Sequence, residues 1–178
     1  MSKTYIVDGN ALLFRSYYST AYTGNIMTTK DNIPINAIFA FHNLIRKIKD
    51  RLNNGDHLFV AFDTGKPTLR KQEFEDYKAQ RAKAPDELIA QMPIAREMLE
   101  AMDIHWNEKV GYEGDDLAGS MAKYAASKND EVRLFTSDKD FLQLLSLGKN
   151  VTVEMLKRGL SDTVSYTSDN IKELFGLN

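Results

Sequence analysis

Residues 4–8, TYIVD, form a short run of β-favouring residues that ends on an acid, and the same design returns as HLFVAFD at 57–63 and VRLFTSD at 132–138. Between these runs lie stretches with helical periodicity. They are INAIFAFHNLIRKIKDRL at 35–52, DELIAQMPIAREMLEAM at 86–102, introduced by Pro85 and Asp86 as a start signal, and DDLAGSMAKYAAS at 115–127. Strands alternating with helices predict an α/β fold with a mainly parallel sheet covered on both faces. NVTVEML (150–156) and DTVSYT (162–167) add two short β-like runs, and SDNIKELFG (168–176) reads as a capped closing helix.

A chain of 178 residues, 43% of them hydrophobic, has the material for one core of ordinary size, so a single domain over 1–178 is expected. It contains no cysteine, which excludes disulfides, thiolate metal sites and a cysteine nucleophile and fits a reducing, cytoplasmic setting. No apolar run approaches roughly 18 residues, so nothing supports membrane spanning or secretion. The net charge of −2 hides segregation: from Lys66 to Lys83 there are six Lys or Arg against three acids. This basic segment, GKPTLRKQEFEDYKAQRAKAP, lacks a sustained apolar face and directly follows Asp63, so it reads as a functional insertion at about 66–85.

Ligands of an open parallel sheet bind beyond the carboxyl ends of its strands, so Asp8, Asp63 and Asp138 are expected to face one crevice. Asp140 follows Asp138 by two residues, and EGDD (Glu113, Asp115, Asp116) precedes a helix starting at the same edge. Taken singly, each acid is explained as a turn former, an N-cap or a complement to a helix dipole. Together, seven carboxylates repel and raise one another's pKa unless cations neutralise them. With His42, His57 and His105 outside the acidic motifs and better explained by packing or surface roles, the all-oxygen donor set points to magnesium or manganese rather than zinc. An acidic metal site beside a basic, tyrosine-bearing insertion suits a phosphate ester held by Lys or Arg. The P-loop pattern is absent, and VDGN lacks the second aspartate of an aspartyl-phosphate phosphatase loop, leaving nucleic-acid phosphodiester hydrolysis as the better reading.

IVDGNALLFRSYY, VAFD, YKAQR, GYEGDDLAGS and TSDKDFLQLL, in this order and spacing, resemble the 5′-to-3′ exonuclease domain of bacterial DNA polymerase I and the wider flap endonuclease family. The resemblance runs from Tyr5 to about Gly176. It implies a resolvase-like, or PIN-like, three-layer α/β/α domain that hydrolyses DNA near a free 5′ end, at a flap or nick, in replication and repair. It further implies two ions: Asp8, Asp63, Glu113, Asp115 and Asp116 match the first-metal cluster, Asp138 lies between the sites and Asp140 turns toward the second, some binding through water. The basic insertion resembles the family's helical arch, with Lys78 and Arg81 facing the scissile phosphate, Tyr77 stacking on a base and Arg15 matching a basic position near the phosphate. In-line attack by a metal-activated water is the implied mechanism, and a monomer is expected.

One departure matters. The family places a helix-hairpin-helix region, with two further second-metal aspartates, after the point where this sequence reads KELFGLN, so the sequence is expected to be part of a longer protein. Two rival readings follow: a module that binds DNA 5′ ends with little turnover, and a PIN-type ribonuclease. A receiver-like signalling domain also carries acids at strand ends around magnesium, but leaves EGDD and the basic insertion without a role.

Overall fold

Six strands make one sheet in the order β3-β2-β1-β4-β5-β6. The computed structural model describes residues 2–22, 26–66, 68–69, 83–157 and 162–174, so Tyr77, Lys78, Arg81 and most of the basic insertion lie outside the described residues. In chain order the elements are β1 (Lys3–Asp8), α1 (Gly9–Ala21), α2 (Asn36–Lys49), β2 (His57–Phe62), α3 (Asp86–Ala101), β3 (His105–Glu108), α4 (Gly114–Ser127) and β4 (Glu131–Thr136). A 3-10 helix (Lys139–Leu147), β5 (Val151–Leu156), β6 (Thr163–Tyr166) and α5 (Ile171–Leu174) complete it. Strands β1 to β5 pair in parallel and β6 joins β5 antiparallel.

The three acid-terminated runs are β1, β2 and β4, three of the four inner strands of the sheet. Their apolar residues alternate between two buried faces because both sides of the sheet are covered. Val7, Val60, Phe62 and Phe135 pack against Leu12, Phe41, Ile45, Leu88 and Leu99 of α1, α2 and α3. On the opposite face, Ile6, Ala61, Leu134 and Val153 meet Ala118, Ala122 and Ala125 of α4 and Phe141 and Leu145 of the 3-10 helix. The alanine spacing lets α4 lie close to the sheet. Two buried polar residues complete the first layer: Gln91 of α3 accepts the Ala37 N–H at 2.8 Å and donates to Asn36 at 3.1 Å, satisfying donors at the start of α2 that Ile35 cannot cap.

Strand β3, HWNE, has no apolar alternation and is not apparent from the sequence; it forms as a short edge strand in register with β2, from Phe59↔His105 to Phe62↔Glu108. The chain runs from β1 outward to β2 and β3, then returns across the sheet to β4 on the other side of β1. That reversal opens a crevice between the carboxyl ends of β1 and β4, the switch point at which open α/β sheets bind ligands.

Candidate functional site

Asp8 ends β1, and β1 cannot continue because α1 begins at the next residue. A side chain on Gly9 would put its Cβ 2.6 Å from Cε1 of Phe62 and 2.8 Å from the Ala61 carbonyl, so only glycine lets α1 start against the end of β2. Asp8 therefore serves as N-cap: one carboxylate oxygen accepts the Ala11 N–H at 3.0 Å and the other accepts the Thr136 hydroxyl at 2.8 Å. Thr136, fully buried at the end of β4, also accepts the Asp138 N–H at 3.0 Å, so one hydroxyl joins the two strand ends that flank the switch point. Asp138 caps the 3-10 helix by accepting the Asp140 N–H at 2.9 Å.

Asp63 follows β2 and is held from two sides. Its Oδ1 accepts the Gly114 N–H at 2.5 Å and its Oδ2 the Asn10 side-chain amide at 3.0 Å, while Asn10 Oδ1 accepts the Asp63 N–H at 3.0 Å. Gly114 permits this approach, because a Cβ there would lie 3.2 Å from the Phe62 carbonyl carbon and 3.3 Å from Asp63 Oδ1. From behind, Arg96 of α3 donates to the Asp63 carbonyl at 3.0 Å, pairs with Glu108 at 2.6 Å and stacks 4.7 Å from the Phe62 ring.

Asp8, Asp63, Asp115 and Asp138 line one open cavity of about 590 Å³ together with Asn10, Arg15 and Ser137. Four of the seven predicted acids, and the predicted Arg15, thus share a single cleft. The other three sit around it differently. Glu113 is buried as the N-cap of α4, and Asp116 accepts the Glu113 N–H at 3.0 Å in a capping box and lines a neighbouring cavity rather than this one. Asp140 is exposed in the first turn of the 3-10 helix.

Burial, aided by the nearby Asp115 and Asp63 and opposed by the Ala11 and Thr136 hydrogen bonds, holds the Asp8 carboxyl at about 7 instead of its ordinary 3.8. Among the described residues no three acids or histidines are drawn together around one ion position. Asp8, Asp63 and Asp138 are each held by separate hydrogen-bond anchors. The donor chemistry still fits a hard divalent cation such as magnesium, which retains several waters and needs few direct carboxylates, and whose charge would offset the repulsion felt by Asp8. Asn10, Arg96 and Thr136 are the residues that sequence reasoning missed. Only Asn10 carried a signal, inside VDGN; the others act through contacts far apart in the chain.

The description "5′-3′ exonuclease, N-terminal resolvase-like domain" belongs to the family model that matches residues 3–176. DNA polymerase I of Caldicellulosiruptor bescii is 39% identical over 177 residues, which is 98% of this chain and 20% of that protein. DNA polymerase I of Bacillus subtilis is 36% identical over 98% of this chain and 19% of its own length. The chain thus spans about a fifth of the length of these curated relatives. Among solved structures, the bacteriophage T5 D15 protein co-crystallised with metal ions superposes with a TM-score of 0.69 at 19% identity, over 98% of this chain and 61% of that one. A flap endonuclease from Methanococcus jannaschii superposes with a TM-score of 0.57 at 16% identity, over 99% of this chain and 60% of that one. Both share the mainly parallel α/β fold.

Proposed function

This chain belongs to the family of 5′-3′ exonuclease N-terminal resolvase-like domains, and from that premise we propose that it is a metal-dependent 5′ nuclease, exonuclease and flap endonuclease, hydrolysing DNA phosphodiesters near a 5′ end in replication and repair. The observation that carries this reading is the convergence of Asp8, Asp63, Asp115 and Asp138 with Arg15 in one cleft at the switch point of the sheet. A T5 flap endonuclease of this fold was crystallised with DNA and metal ions, which supports the same substrate class here.

Asp8, Asp63, Asp115 and Asp138 are assigned as the acids that hold divalent cations, with Glu113, Asp116 and Asp140 contributing through water. Magnesium or manganese bound there supplies an activated water and stabilises charge on the attacked phosphate. Arg15 orients that phosphate from the wall of the cleft. Lys78 and Arg81 are assigned to charge stabilisation during displacement and Tyr77 to base stacking, by their match to the family's arch. The buried anchors of Asp8 and Asp63 keep the acids oriented without reorganisation during the reaction.

The test is cleavage of a 5′-labelled flap duplex in magnesium. Asp115→Asn and Asp138→Asn are expected to abolish cleavage while leaving the melting temperature equal or higher, and unchanged cleavage in both would reject the site. Flap binding without cleavage by the unaltered chain would favour the 5′-end binding module, and faster cleavage of RNA than DNA would favour a PIN-type ribonuclease.

A further inference from the structure

Arg96 lies on α3, behind the acidic cleft, with a side chain only 18% exposed. Each of its three side-chain nitrogens donates a hydrogen bond. Nε and Nη2 reach Glu108 Oε2 at 2.9 and 2.6 Å, Nη1 reaches the Met92 carbonyl at 2.8 Å, and Nη2 also reaches the Asp63 carbonyl at 3.0 Å. The guanidinium carbon sits 4.7 Å from the centre of the Phe62 ring and 5.6 Å from that of Trp106. A guanidinium engaged on every nitrogen is fixed in direction as well as in place.

These bonds close a circuit that passes through the cleft. Asp63 and Glu108 stand at the carboxyl ends of neighbouring strands, since Phe62 pairs with Glu108 across β2 and β3. Beyond Glu108 the chain turns through Lys109–Glu113, with Gly111 at φ +87 and the Tyr112 N–H bonded to the Lys109 carbonyl at 3.1 Å. It enters α4 at Gly114, whose N–H, a first-turn donor with no partner inside the helix, donates back to Asp63 Oδ1. The next residue, Asp115, lines the cleft with Asp8 and Asp63. Arg96 thus ties both ends of the turn that delivers Asp115, one at Glu108 and the other, through Asp63, at Gly114.

We propose that Arg96 is a positioning residue of the nuclease site, holding Asp63 and Asp115 in a fixed relation through Glu108 and the Asp63 main chain while touching neither DNA nor metal. The inference rests on the proposed nuclease reading and extends it to a residue outside the cleft. An isolated surface ion pair would fix little, because long solvated side chains exchange partners at small cost. Here the cation is anchored at three points, and one of them is the main chain of a cleft acid. Lysine carries the same charge on a single nitrogen and cannot serve Glu108, Met92 and Asp63 in that fork.

The test follows hydrogen exchange at the Gly114 amide of the full chain in chelator, with the Ala122 amide further along α4 as reference, and flap cleavage in magnesium beside it. Arg96→Lys is expected to speed Gly114 exchange about tenfold and leave Ala122 unchanged. It should also lower kcat 10- to 100-fold, on the order known for groups that orient metal ligands, with KM for DNA unaltered. Glu108→Ala opens the same circuit without touching Arg96 and is expected to give the same pattern. Glu108→Gln, which still accepts from the guanidinium, restores most of both, and combining Arg96→Lys with Glu108→Ala costs little more than either alone. Unchanged Gly114 exchange in either variant, equal acceleration at Ala122, or an equal rise in KM overturns the positioning role. If the unaltered chain cleaves flaps and Arg96→Lys cleaves them as fast, the positioning role fails alone; if the unaltered chain cleaves none, the nuclease reading fails and takes that role with it.

Discussion

Replacing Asp8 with asparagine is expected to stabilise the metal-free protein at alkaline pH and to destabilise it by about 1 kcal/mol in acid, where only the disturbed Thr136 hydrogen bond counts. Asp8 is 5% exposed, and burial, with Asp115 and Asp63 nearby, holds its carboxyl at about 7 instead of 3.8. Between those values the folded chain keeps a proton that the unfolded chain has lost, so stability falls as pH rises through this window. Each unit costs about 1.4 kcal/mol, giving roughly 4 kcal/mol by the time Asp8 is ionised. Asparagine removes that cost and still accepts the Ala11 N–H as an N-cap, but it disturbs the Thr136 hydrogen bond, a loss of about 1 kcal/mol. The net gain above pH 8 is about 3 kcal/mol, or roughly 6–12 °C in melting temperature for a domain of this size. Thermal melts in chelator from pH 5 to pH 9 measure it directly. A variant whose melting curve tracks the unaltered protein at every pH would mean that Asp8 ionises in the fold without penalty, and the electrostatic account of the cleft would fall.

Thr136→Val keeps the shape of the side chain but removes the hydroxyl shared by Asp8 and Asp138; kcat on a flap substrate is expected to fall 10- to 100-fold, on the order known for groups that orient metal ligands, with KM for DNA unchanged and Thr136→Ser retaining most activity. An equal rise in KM would assign Thr136 to substrate binding instead. Gly9→Ala forces a Cβ against the Phe62 ring and the Ala61 carbonyl, and urea unfolding should register a loss of about 1–3 kcal/mol; an unaltered midpoint would show that α1 can shift freely. Lys78→Ala is expected to lower the cleavage rate more than DNA affinity, and a pure affinity loss would reduce Lys78 to positioning phosphate.

Strands β1, β2 and β4 were legible because each buried run is apolar on both faces and stops at an acid where the chain leaves the sheet. The edge strand β3 was not, since HWNE owes its conformation to pairing with β2 and to Arg96, which salt-bridges Glu108 and stacks 5.6 Å from Trp106. Within the cleft, the sequence identified the acids but could not sort neighbours. Asp115 and Asp116 are adjacent in EGDD, yet about 100° apart on α4, so one lines the cleft while the other folds back onto the Glu113 N–H. Thr136 and Asp8 are 128 positions apart, Asn10 and Asp63 are 53 apart, and no local pattern encodes such pairs.

Those long-range pairs explain how a cluster of like charges keeps its form. Both oxygens of Asp8 and both of Asp63 accept hydrogen bonds from neutral donors: Ala11 and Thr136 for one, Gly114 and Asn10 for the other. An ionised carboxylate offers about four lone-pair sites, so each acid is fixed in direction and still has capacity for a cation or its waters. Orientation is thereby supplied by the backbone and by uncharged side chains, and under the proposed function the repulsion on Asp8 is what a bound cation would relieve. Removing the charge of Asp8 and removing its anchor must then have opposite signatures: Asp8→Asn stabilises the metal-free fold at alkaline pH, whereas loss of the Thr136 hydroxyl leaves the charge in place with one fewer donor and destabilises it. Both losses impair the same site, and metal-free stability tells them apart.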